Sequence, residues 1–515
     1  MFGTTVGVLR KQMQRWPDKE FIVGSREHMT YVEFYHRVNR LAHWLTEHGV
    51  RRGDNVGLLM YNCPELYIGI LAVHRLGAVA NLWNFRLRGR DIDDLARQVG
   101  AKAILCSSEF LPTLDPGPGT VVLSDGAREA LPASAHSFAE ISAMPQREPS
   151  VADPEESDLA SVIYTSGTTG RPKGAAYTHQ TQLLSAIQYC LEMGLDLGRR
   201  GLTAAPVIHG GATNFFFAYL FIGGTFIDAG KYSAERILEL AINHGATELM
   251  AVPTQIMELL RVAEERAIPA AQFSALRLIR TAGSPYPKSM VERVHKTFGC
   301  HLLNTFGMTE NCANVTTMHS GYDPEEAWTT IGKETYFWNA GVAEIGESEA
   351  RADKRIVPPG RGQLIVRGPQ NITQYYLSER APLYGDGWLF ARDVVDLAPS
   401  GYMQILDRVD ETILTGGEIV YPQEVEMFLE QHPSIVAAAA IGLPDPKWGE
   451  IVVALIVRNS QTLDAEAVER HCLESEELAR YKRPRRVIFV DALPQNVFGK
   501  LERYKLREQY RALPE

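Results

Sequence analysis

The sequence is poor in cysteine, and none of its cysteines is paired at a metal-binding or redox spacing. The cysteines are Cys63, Cys106, Cys190, Cys300, Cys312 and Cys472. None of them belongs to a C-x-x-C pair, so the pattern favours neither a zinc site nor a disulfide framework. We therefore expect reduced thiols that are mostly buried.

Long apolar runs are also missing. No apolar stretch reaches the roughly 18 residues that a membrane-spanning helix needs. The N-terminal stretch MFGTTVGVLRKQMQRWPDKE lacks the apolar core of a signal peptide. The expectation is a cytoplasmic protein without stable membrane association.

Positive charge is in deficit. The chain has 52 Lys and Arg against 62 Asp and Glu, a formal net charge of −10. This balance argues against a broad nucleic-acid-binding face, so no nucleic-acid partner is expected. With 515 residues, 45% of them hydrophobic and 22% charged, the chain is typical of a globular protein with two or more domains.

Strands and helices alternate through the first two thirds of the chain. From DNVGLLM through PELYIGILAVHRLGAVANLWN to DDLARQVGAKAILCSS, short β-rich apolar runs alternate with amphipathic stretches of helix length. The same alternation resumes after residue 160. The pattern predicts two α/β subdomains, each built on a parallel sheet with helices on its faces.

The pattern changes after residue 340. The runs GVAEIG, GQLIVRG and GYMQILD, bounded by turn residues, predict an antiparallel, barrel-like subdomain. About a hundred C-terminal residues then alternate helix and strand in a unit short enough for one small α+β domain. We predict an N-terminal domain over residues 1–406, a hinge at 407–410 and a C-terminal domain over 411–515.

One hydroxyl-rich loop is the first candidate for a functional site. The stretch TSGTTGRPKG, residues 165–174, directly follows the apolar run LASVIY. Its glycines let the backbone approach a ligand and present N–H groups to phosphate oxygens, and Lys173 adds a positive charge. The spacing matches neither G-x-x-x-x-G-K-S/T nor G-x-G-x-x-G. A lone stretch of this kind is also typical of a surface turn. Other motifs are therefore needed to distinguish a phosphate-binding loop from a turn.

Four further stretches follow the loop in a fixed order. They are NTFGMTE (304–310), YGDGWLFARDVVD (384–396), LDRVDETILTGGEIVYPQEVE (406–426) and LPQNVFGKLERYKLRE (493–508). Together with the loop they resemble the adenylate-forming superfamily of acyl-CoA synthetases, peptide-synthetase adenylation domains and firefly-type luciferases. The resemblance covers essentially the whole chain. It implies an α/β fold whose large N-terminal domain is followed by a small, mobile C-terminal domain.

The resemblance implies ATP as a substrate and Mg²⁺ as its metal ion. The residues that it assigns to ATP or AMP are Thr165, Ser166, Gly167, Thr168, Thr169, Gly170, Lys173, Gly283, Ser284, Pro285, Asn304, Thr305, Phe306, Gly307, Asp393 and Arg408. Among them, Phe306 would stack on adenine, which requires only the ring. Asp393 and Arg408 would bind the ribose, although an exposed ion pair is the alternative for both. Arg392 stands before Asp393, where the family usually has Gly.

Four residues are implied to act in catalysis. Glu310 would hold the Mg²⁺ and Thr309 would contact the α-phosphate, although an isolated Thr-Glu pair more often starts a helix. His209 would gate the acyl pocket. Lys500 would neutralise the charge that builds between the carboxylate and the α-phosphate in the transition state, although most lysines are simply solvated.

Domain rotation would connect the two half-reactions. Asp410 is the hinge position by resemblance, and rotation about it would exchange Lys500 for the loop TGGEIVYP. The matching residues of that loop are Gly416, Gly417 and Glu418. The basic stretch ARYKRPRRVIFV (479–490), which includes Lys482, resembles the C-terminal part of CoA ligases and could meet the phosphates of CoA.

The acyl pocket is assigned to the stretch APVIHGGATNFFFAYLFIGG, residues 205–224, and to neighbouring motifs. Its implied residues are His209, Gly210, Gly211, Asn214, Phe215, Thr281, Ala282 and Met308. The composition favours an uncharged aliphatic, alicyclic or aryl acid, although a core helix would also be apolar and aromatic. No unpaired cation or acid stands out to bind an amino-acid α-amine, so amino-acid activation is disfavoured.

The resulting hypothesis is an ATP-dependent carboxylic acid:CoA ligase that works through an acyl-AMP. An amide synthetase of the same fold, which passes the acyl group to an amine, shares every motif of the first half-reaction. A non-catalytic nucleotide-binding protein is a third hypothesis, and the intact Lys173, Glu310 and Lys500 argue against it. The oligomeric state is left open, with a homodimer as one option.

Overall fold

The structure, a computed structural model, describes residues 3–24, 27–87, 89–115, 117–165, 173–284, 286–312, 314–344, 355–356, 360–377, 387–475, 477–495 and 501–511. The chain forms two compact units. The first contains Met1–Ala340 and Arg367–Leu389, and the second contains Gly341–Val366 and Phe390–Glu515. The predicted hinge at 407–410 lies within the second unit, and the predicted domain division there stays a prediction.

The α-helices of the described residues are α1 (Thr5–Arg15), α2 (Tyr31–Glu47), α3 (Pro64–Arg75), α4 (Gly89–Val99), α5 (His179–Met193), α6 (Gly210–Ile222), α7 (Ala234–Asn243), α8 (Pro253–Glu265), α9 (Lys288–Phe298), α10 (Pro422–Leu429), α11 (Ala465–Glu474) and α12 (Arg503–Tyr510). Helices α1 to α9 belong to the first unit and α10 to α12 to the second.

The strands are β1 (Glu20–Gly24), β2 (His28–Thr30), β3 (Asn55–Leu59), β4 (Val79–Leu82), β5 (Ala103–Cys106), β6 (Val121–Ser124), β7 (Ala135–Ser137), β8 (Leu159–Thr165), β9 (Lys173–Thr178), β10 (Arg200–Thr203), β11 (Thr225–Asp228), β12 (Glu248–Met250), β13 (Leu278–Ala282), β14 (His301–Phe306), β15 (Thr316–His319), β16 (Lys333–Glu334), β17 (Asn339–Ala343), β18 (Arg355–Ile356), β19 (Gly360–Arg367), β20 (Leu389–Leu397), β21 (Met403–Arg408), β22 (Ile413–Thr415), β23 (Glu418–Val420), β24 (Ile435–Asp445), β25 (Gly449–Arg458) and β26 (Arg486–Phe489).

Two large sheets form the first unit. One has seven strands in the order β7-β6-β5-β3-β4-β8-β9, parallel except for the edge strand β9. The other has nine strands in the order β16-β15-β14-β13-β12-β10-β11-β1-β2, with a parallel centre from β14 to β1. Central strands such as β3 and β5 are buried at every position, as expected when helices cover both faces. The predicted pair of parallel α/β subdomains is confirmed.

Two smaller sheets lie mainly in the second unit. One has five strands in the order β18-β17-β19-β20-β21, in the region where the sequence predicts a barrel-like subdomain. The other joins β23, β22, β25 and β24, and β26 pairs with β25 in parallel. With helices α10 to α12 this second sheet forms the predicted small α+β unit. Its predicted mobility stays a prediction.

Helix ends near the candidate site have identifiable local causes. Thr178 caps the start of α5, because its hydroxyl accepts a 3.1 Å hydrogen bond from the backbone N–H of Thr181. Gly194 ends the helix in the left-handed conformation, at φ 58°. Helix α6 is apolar on almost every side, and its residues Phe215, Phe216 and Phe217 are completely buried, which is typical of a helix enclosed by other elements.

The cysteine prediction is confirmed, since each cysteine is buried and free. Burial raises the pKa of the Cys312 thiol to about 12, so this group stays protonated. Among the described residues, no helix has both the length and the apolar character that crossing a membrane requires.

Candidate active site

The hydroxyl-rich loop lies at the edge of the seven-stranded sheet. Strands β8 and β9 form an antiparallel pair in which Thr165 faces Lys173. The loop between them contains Ser166, Gly167, Thr168, Thr169 and Gly170, which lie outside the described residues together with the side chain of Thr165. The strands fix both ends of the loop, and Lys173 is half-buried at its far end.

Two of the predicted nucleotide motifs meet at neighbouring strand ends of the nine-stranded sheet. Strands β13 and β14 are parallel, with Thr281 opposite Asn304 and Ala282 opposite Thr305. The Thr305 hydroxyl donates a 3.2 Å hydrogen bond to the Thr281 carbonyl. The carboxyl ends of parallel strands are the usual place for a ligand in an open α/β sheet.

The turns beyond these two strands carry the other predicted residues. Gly283 has φ 92°, a left-handed conformation that glycine adopts without strain, and Ser284 follows it half-buried. Pro285 lies outside the described residues. Phe306 ends β14 and is half-buried, and Gly307 and Met308 lead from it to Thr309. The structure therefore places both turns at one sheet edge.

Glu310 is held by a tyrosine that the sequence analysis does not identify. The Tyr375 hydroxyl donates a 2.7 Å hydrogen bond to the Oε1 atom of Glu310. The backbone N–H of Ile372 donates a 2.8 Å bond to the Glu310 carbonyl. The Tyr375 ring also lies 5.3 Å from the Nζ atom of Lys173. A tyrosine therefore links the predicted metal ligand to the predicted phosphate-binding lysine.

The Glu310 carboxylate is chemically suited to a magnesium ion bound with ATP. Only its Oε1 atom has a hydrogen bond among the described residues, which leaves Oε2 for a cation. No group of three or more His, Cys, Asp or Glu side chains among the described residues could hold a metal by itself. The available carboxylate oxygen of Glu310 fits magnesium, which proteins bind through one or two carboxylates together with phosphate oxygens.

Thr309 is anchored through its backbone. The Tyr177 hydroxyl, which belongs to β9, donates a 2.7 Å hydrogen bond to the Thr309 carbonyl. Burial raises the pKa of Tyr177, so it remains a donor at neutral pH. Residues 309–311 form a short 3₁₀ turn after Met308. Strand β9 thus positions both Lys173 and the Thr309–Glu310 turn.

His209 immediately precedes α6. Burial lowers the pKa of His209 to about 4, and the nearby positive charge of Arg86 contributes in the same direction. The imidazole is therefore neutral near pH 7. Its own carbonyl accepts a 3.0 Å hydrogen bond from the Thr213 hydroxyl, which holds the first turn of the helix.

Two of the predicted pocket residues are enclosed in the protein interior. The Asn214 side chain is completely buried and hydrogen-bonds to Gln182 and to the Cys312 carbonyl. The Phe215 ring is completely buried and packs 4.9 Å from the Tyr219 ring. These contacts give both side chains a packing role, and their assignment to the pocket stays a prediction.

The two glycines at the start of α6 allow specific side chains to approach the backbone closely. A Cβ atom on Gly210 would lie 3.1 Å from the Tyr177 hydroxyl. A Cβ atom on Gly211 would lie 2.8 Å from the Cε atom of Met250, and 3.9 Å from both the Tyr189 hydroxyl and the Nη1 atom of Arg280. The sequence analysis does not identify Arg280. The sequence feature that could have identified Arg280 is the single cation in the strand LIRTA, which contains no other charged residue.

Asp393 and Arg408 lie together in the second unit. They are paired on the antiparallel strands β20 and β21, and the guanidinium donates a 3.4 Å hydrogen bond to the Asp393 carboxylate. Arg392 has φ 57°, the left-handed conformation that glycine adopts at little cost. The structure therefore explains why the family usually has Gly at this position.

The predicted glycine loop of the second unit is a two-residue hairpin turn. Gly416 and Gly417, at φ 61° and 86°, connect β22 to β23, and Thr415 faces Glu418. Lys482 is nearly buried, and its Nζ atom lies 2.6 and 2.7 Å from the two carboxylate oxygens of Glu424. Lys500 and the side chain of Asp410 lie outside the described residues.

Two protein families match the chain. Residues 9–376 match the AMP-binding enzymes, and residues 424–500 match the C-terminal domain of AMP-binding enzymes. The two matched segments cover the first-unit motifs and most of the small α+β unit.

Curated relatives match over almost the entire chain. A 2-succinylbenzoate–CoA ligase of Bacillus thuringiensis subsp. konkukian is 31% identical over 517 residues, which cover 99% of each chain. The long-chain-fatty-acid–CoA ligase FadD13 of Mycobacterium tuberculosis is 29% identical over 496 residues, covering 94% of this chain and 93% of that protein.

A solved structure has the same fold. The o-succinylbenzoate coenzyme A synthetase of Bacillus subtilis, in complex with ATP and a magnesium ion, superposes with a TM-score of 0.83. It is 26% identical and covers 97% of this chain and 99% of that one. The predicted fold class is therefore confirmed.

Proposed function

Because the chain belongs to the AMP-binding enzymes of the adenylate-forming superfamily, we propose that it joins a carboxylic acid to CoA through an enzyme-bound acyl-adenylate. The prediction of an AMP-forming ligase is confirmed by relatives that are named CoA ligases. The roles of individual residues and the nature of the acid are our proposals.

The observation that best supports this function is the grouping of Lys173, Tyr375 and Glu310. One tyrosine contacts both a cation at the end of the hydroxyl-rich loop and a carboxylate in the short turn that follows β14. A polyphosphate with a divalent cation requires such a combination, because the cation and the lysine neutralise charges that otherwise repel each other.

In the first half-reaction, a carboxylate oxygen attacks the α-phosphorus of ATP, and the bond to the departing pyrophosphate breaks. We propose that Lys173 and the loop bind the β- and γ-phosphates and that Glu310 holds Mg²⁺. When bound, the Mg²⁺ neutralises phosphate charge and orients the leaving pyrophosphate. Lys500 would stabilise the charge that develops between the two reacting groups.

The remaining nucleotide contacts follow the sequence assignments. Phe306 would stack on adenine, and the turn at Gly283 would border its edge. Asp393 and Arg408 would bind the ribose, since Asp393 can accept hydrogen bonds from a diol while Arg408 orients it. His209 would act as a neutral gate to the acyl pocket, because its low pKa keeps it uncharged at neutral pH.

In the second half-reaction, the thiol sulfur of CoA attacks the acyl carbon, AMP departs and the thiol proton is released. We propose that the turn at Gly416–Glu418 serves this step. The Gly416 N–H donates a 2.7 Å hydrogen bond to the Trp448 carbonyl, so the exposed Gly417 and Glu418 would make the contact with CoA. The Lys482 ammonium group is paired with Glu424, so contact with CoA would require it to share or exchange this partner.

One experiment tests the function. The protein is incubated with ATP, Mg²⁺ and a panel of carboxylic acids, with CoA, with amines or with neither, and the products are identified by mass spectrometry. We expect AMP and an acyl-CoA to form, and acyl-AMP to accumulate on the enzyme when CoA is omitted.

The other hypotheses give different products. An amide formed where no thioester appears would identify an amide synthetase. The absence of AMP under every condition would contradict the ligase and favour a nucleotide-binding protein.

A further inference from the structure

A positive charge is buried beside the proposed acyl pocket. Arg280, in strand β13, is only 1% exposed. Its Nη2 atom donates hydrogen bonds to the Tyr189 hydroxyl, at 2.7 Å, and to the amide oxygen of Asn314. Its Nη1 atom lies 3.6 Å from the Met250 sulfur. The guanidinium also lies over the Tyr189 ring, 4.1 Å from its centroid.

These partners do not neutralise the charge. Each hydrogen-bonding partner is an uncharged side chain, and Arg280 forms no ion pair with any carboxylate of the described residues. Its Nε atom is buried without a hydrogen-bond partner among those residues. Burying a charge without a counter-ion has a high cost in desolvation free energy. Packing alone therefore does not explain why an arginine occupies this position.

Other buried arginines of this chain provide the comparison. Arg75, 2% exposed, pairs with Asp153 at 2.8 Å. Arg503, 8% exposed, binds the Glu426 carboxylate through Nε and Nη2, at 2.9 and 2.5 Å. Where this chain buries an arginine for structural reasons, it supplies a carboxylate. Arg280 lacks one in the described structure.

Glu192 compensates the positive charge of Arg280 only in part, because it is connected to the guanidinium through Asn314. Asn314 donates a 2.6 Å hydrogen bond to the Glu192 carboxylate, so the amide separates the two charges. Burial raises the pKa of Glu192 to about 7, although Gln188, Asn314 and the Arg280 charge oppose this effect. A carboxyl group with this pKa is partly protonated at neutral pH.

The guanidinium lies beside the start of α6, where Gly211 carries no side chain. A Cβ atom on Gly211 would approach the Nη1 atom of Arg280 to 3.9 Å, and would also meet Tyr189 and Met250. A side chain at residue 211 would have to displace a neighbour, since the Cε atom of Met250 would be only 2.8 Å from the Cβ atom. Thr281 and Ala282, which the sequence assigns to the acyl pocket, directly follow Arg280 on the same strand.

We propose that Arg280 is a specificity-determining residue that binds a second carboxylate on the acyl substrate. This inference rests on the proposed function. The preferred acid then has an apolar body, one carboxylate that is adenylated and a distal carboxylate that supplies the counter-ion of Arg280. The guanidinium suits a carboxylate because its unpaired Nε–H can donate a charge-assisted hydrogen bond while Nη2 keeps its bonds to Tyr189 and Asn314.

The test uses matched pairs of substrates. A series of aliphatic and aryl dicarboxylic acids of increasing length is compared with the corresponding monomethyl esters, and kcat/KM for adenylation is measured by ATP–pyrophosphate exchange. We expect at least one diacid to exceed its monoester by about 30-fold or more, because the ester leaves a buried charge without its partner.

The Arg280→Met variant, which keeps a similar volume without the charge, should reduce this ratio to about 3 or less, and Arg280→Lys should give an intermediate ratio. Thermal unfolding of wild type with each diacid, without ATP, gives a readout independent of turnover. The preferred diacid should raise the melting temperature of wild type more than that of Arg280→Met.

Three outcomes are distinguishable. If no wild-type diacid exceeds its monoester, the proposal is wrong, whether or not the variants fold. Arg280→Met could instead lower kcat/KM equally for the diacid and for its monoester, so that the ratio of the two stays as in wild type. Arg280 then only holds Tyr189 and Asn314 in place, and the proposal is again wrong. If no acid of any kind is adenylated, the proposed function itself fails.

Discussion

The Tyr375 hydroxyl donates a 2.7 Å hydrogen bond to the Glu310 carboxylate. The backbone of Tyr375 pairs with Ala175, and the next N–H donates a 2.8 Å bond to the Gly174 carbonyl. The segment that carries Tyr375 is therefore attached to β9, two residues from Lys173. This arrangement fixes the spacing between a cation and a carboxylate that come from different sheets.

Replacing Tyr375 by Phe tests this arrangement. Without the hydroxyl, the Glu310 carboxylate loses the bond that orients it, so we expect kcat for adenylation to fall about 10-fold and the Mg²⁺ concentration for half-maximal rate to rise. Steady-state ATP–pyrophosphate exchange at varied Mg²⁺ measures both effects.

The neighbouring Tyr376→Phe is the matched control. It removes a 2.8 Å hydrogen bond from the Tyr376 hydroxyl to the Oδ1 atom of Asn55, in strand β3. The same Mg²⁺ response in both variants would show that the hydroxyl of Tyr375 has no specific role.

Arg392→Gly is expected to stabilise the protein. Arg392 has φ 57°, a conformation that costs a non-glycine residue energy. Relief of this strain should exceed the entropy that glycine adds to the unfolded chain, for a net gain of about 0.5–1 kcal/mol in unfolding free energy. Chemical denaturation measures the change.

Arg392→Ala separates the backbone effect from the loss of the guanidinium, because alanine keeps the strain and removes the side-chain contacts. A gain in the alanine variant equal to that in the glycine variant would contradict the backbone explanation.

Lys500→Ala should separate the two half-reactions. We expect adenylation to fall about 100-fold or more, because a charge that stabilises the transition state is lost. Thioester formation from supplied acyl-AMP should be retained. Both rates are measured by mass spectrometry of the products.

Lys505→Ala provides a control for Lys500→Ala. Lys505 lies on α12, half exposed, and its Nζ atom contacts the Glu502 carboxylate at 2.5 Å. Equal adenylation by wild type and Lys500→Ala would refute the role assigned to that lysine.

Acid should destabilise the fold through His179. The imidazole is buried against the Thr5 hydroxyl, 2.9 Å away, and burial lowers its pKa to about 4. Since the unfolded chain binds a proton near pH 6.5, the unfolded state takes up more protons between these values, and stability falls as the pH drops through this window. Lowering the pH from 7 to 5 should cost about 2 kcal/mol from this group.

Denaturation of wild type and of His179→Gln at several pH values measures this contribution. The variant should show a flatter pH dependence, even if it is less stable at pH 7. His28→Gln, at a surface position, is the control. Parallel curves for wild type and His179→Gln would contradict the prediction.

The sequence predicted the elements and motifs that depend on local order. The period-two and helical patterns identified the parallel α/β subdomains, and the fixed order of motifs predicted that Glu310 and Lys173 share one site. The unusual residue before Asp393 was also visible, because a bulky cation replaces an expected glycine. Only the structure shows that this residue adopts the glycine-like conformation.

Motif spacing did not identify other site residues, because their contacts are distant in the chain. Tyr375 reaches Glu310 across 65 residues, and Arg280 reaches Tyr189 across 91. Periodicity and motif spacing are local properties, so they do not reveal which tyrosine meets which carboxylate. The contacts of Asn214 are also distant in the chain: its amide hydrogen-bonds to Gln182 and to the Cys312 carbonyl, and its assignment to the acyl pocket stays a prediction.

By itself, then, the sequence determined the family, the succession of strands and helices and the chemistry available at each motif, because these follow from residue type and short-range order. Tertiary packing alone decided that Tyr375 orients Glu310 and that Arg280 is buried beside Gly211 without a carboxylate partner in the described structure. Hydrogen bonding and desolvation act on atoms that folding brings together, and strand pairing sets those neighbours.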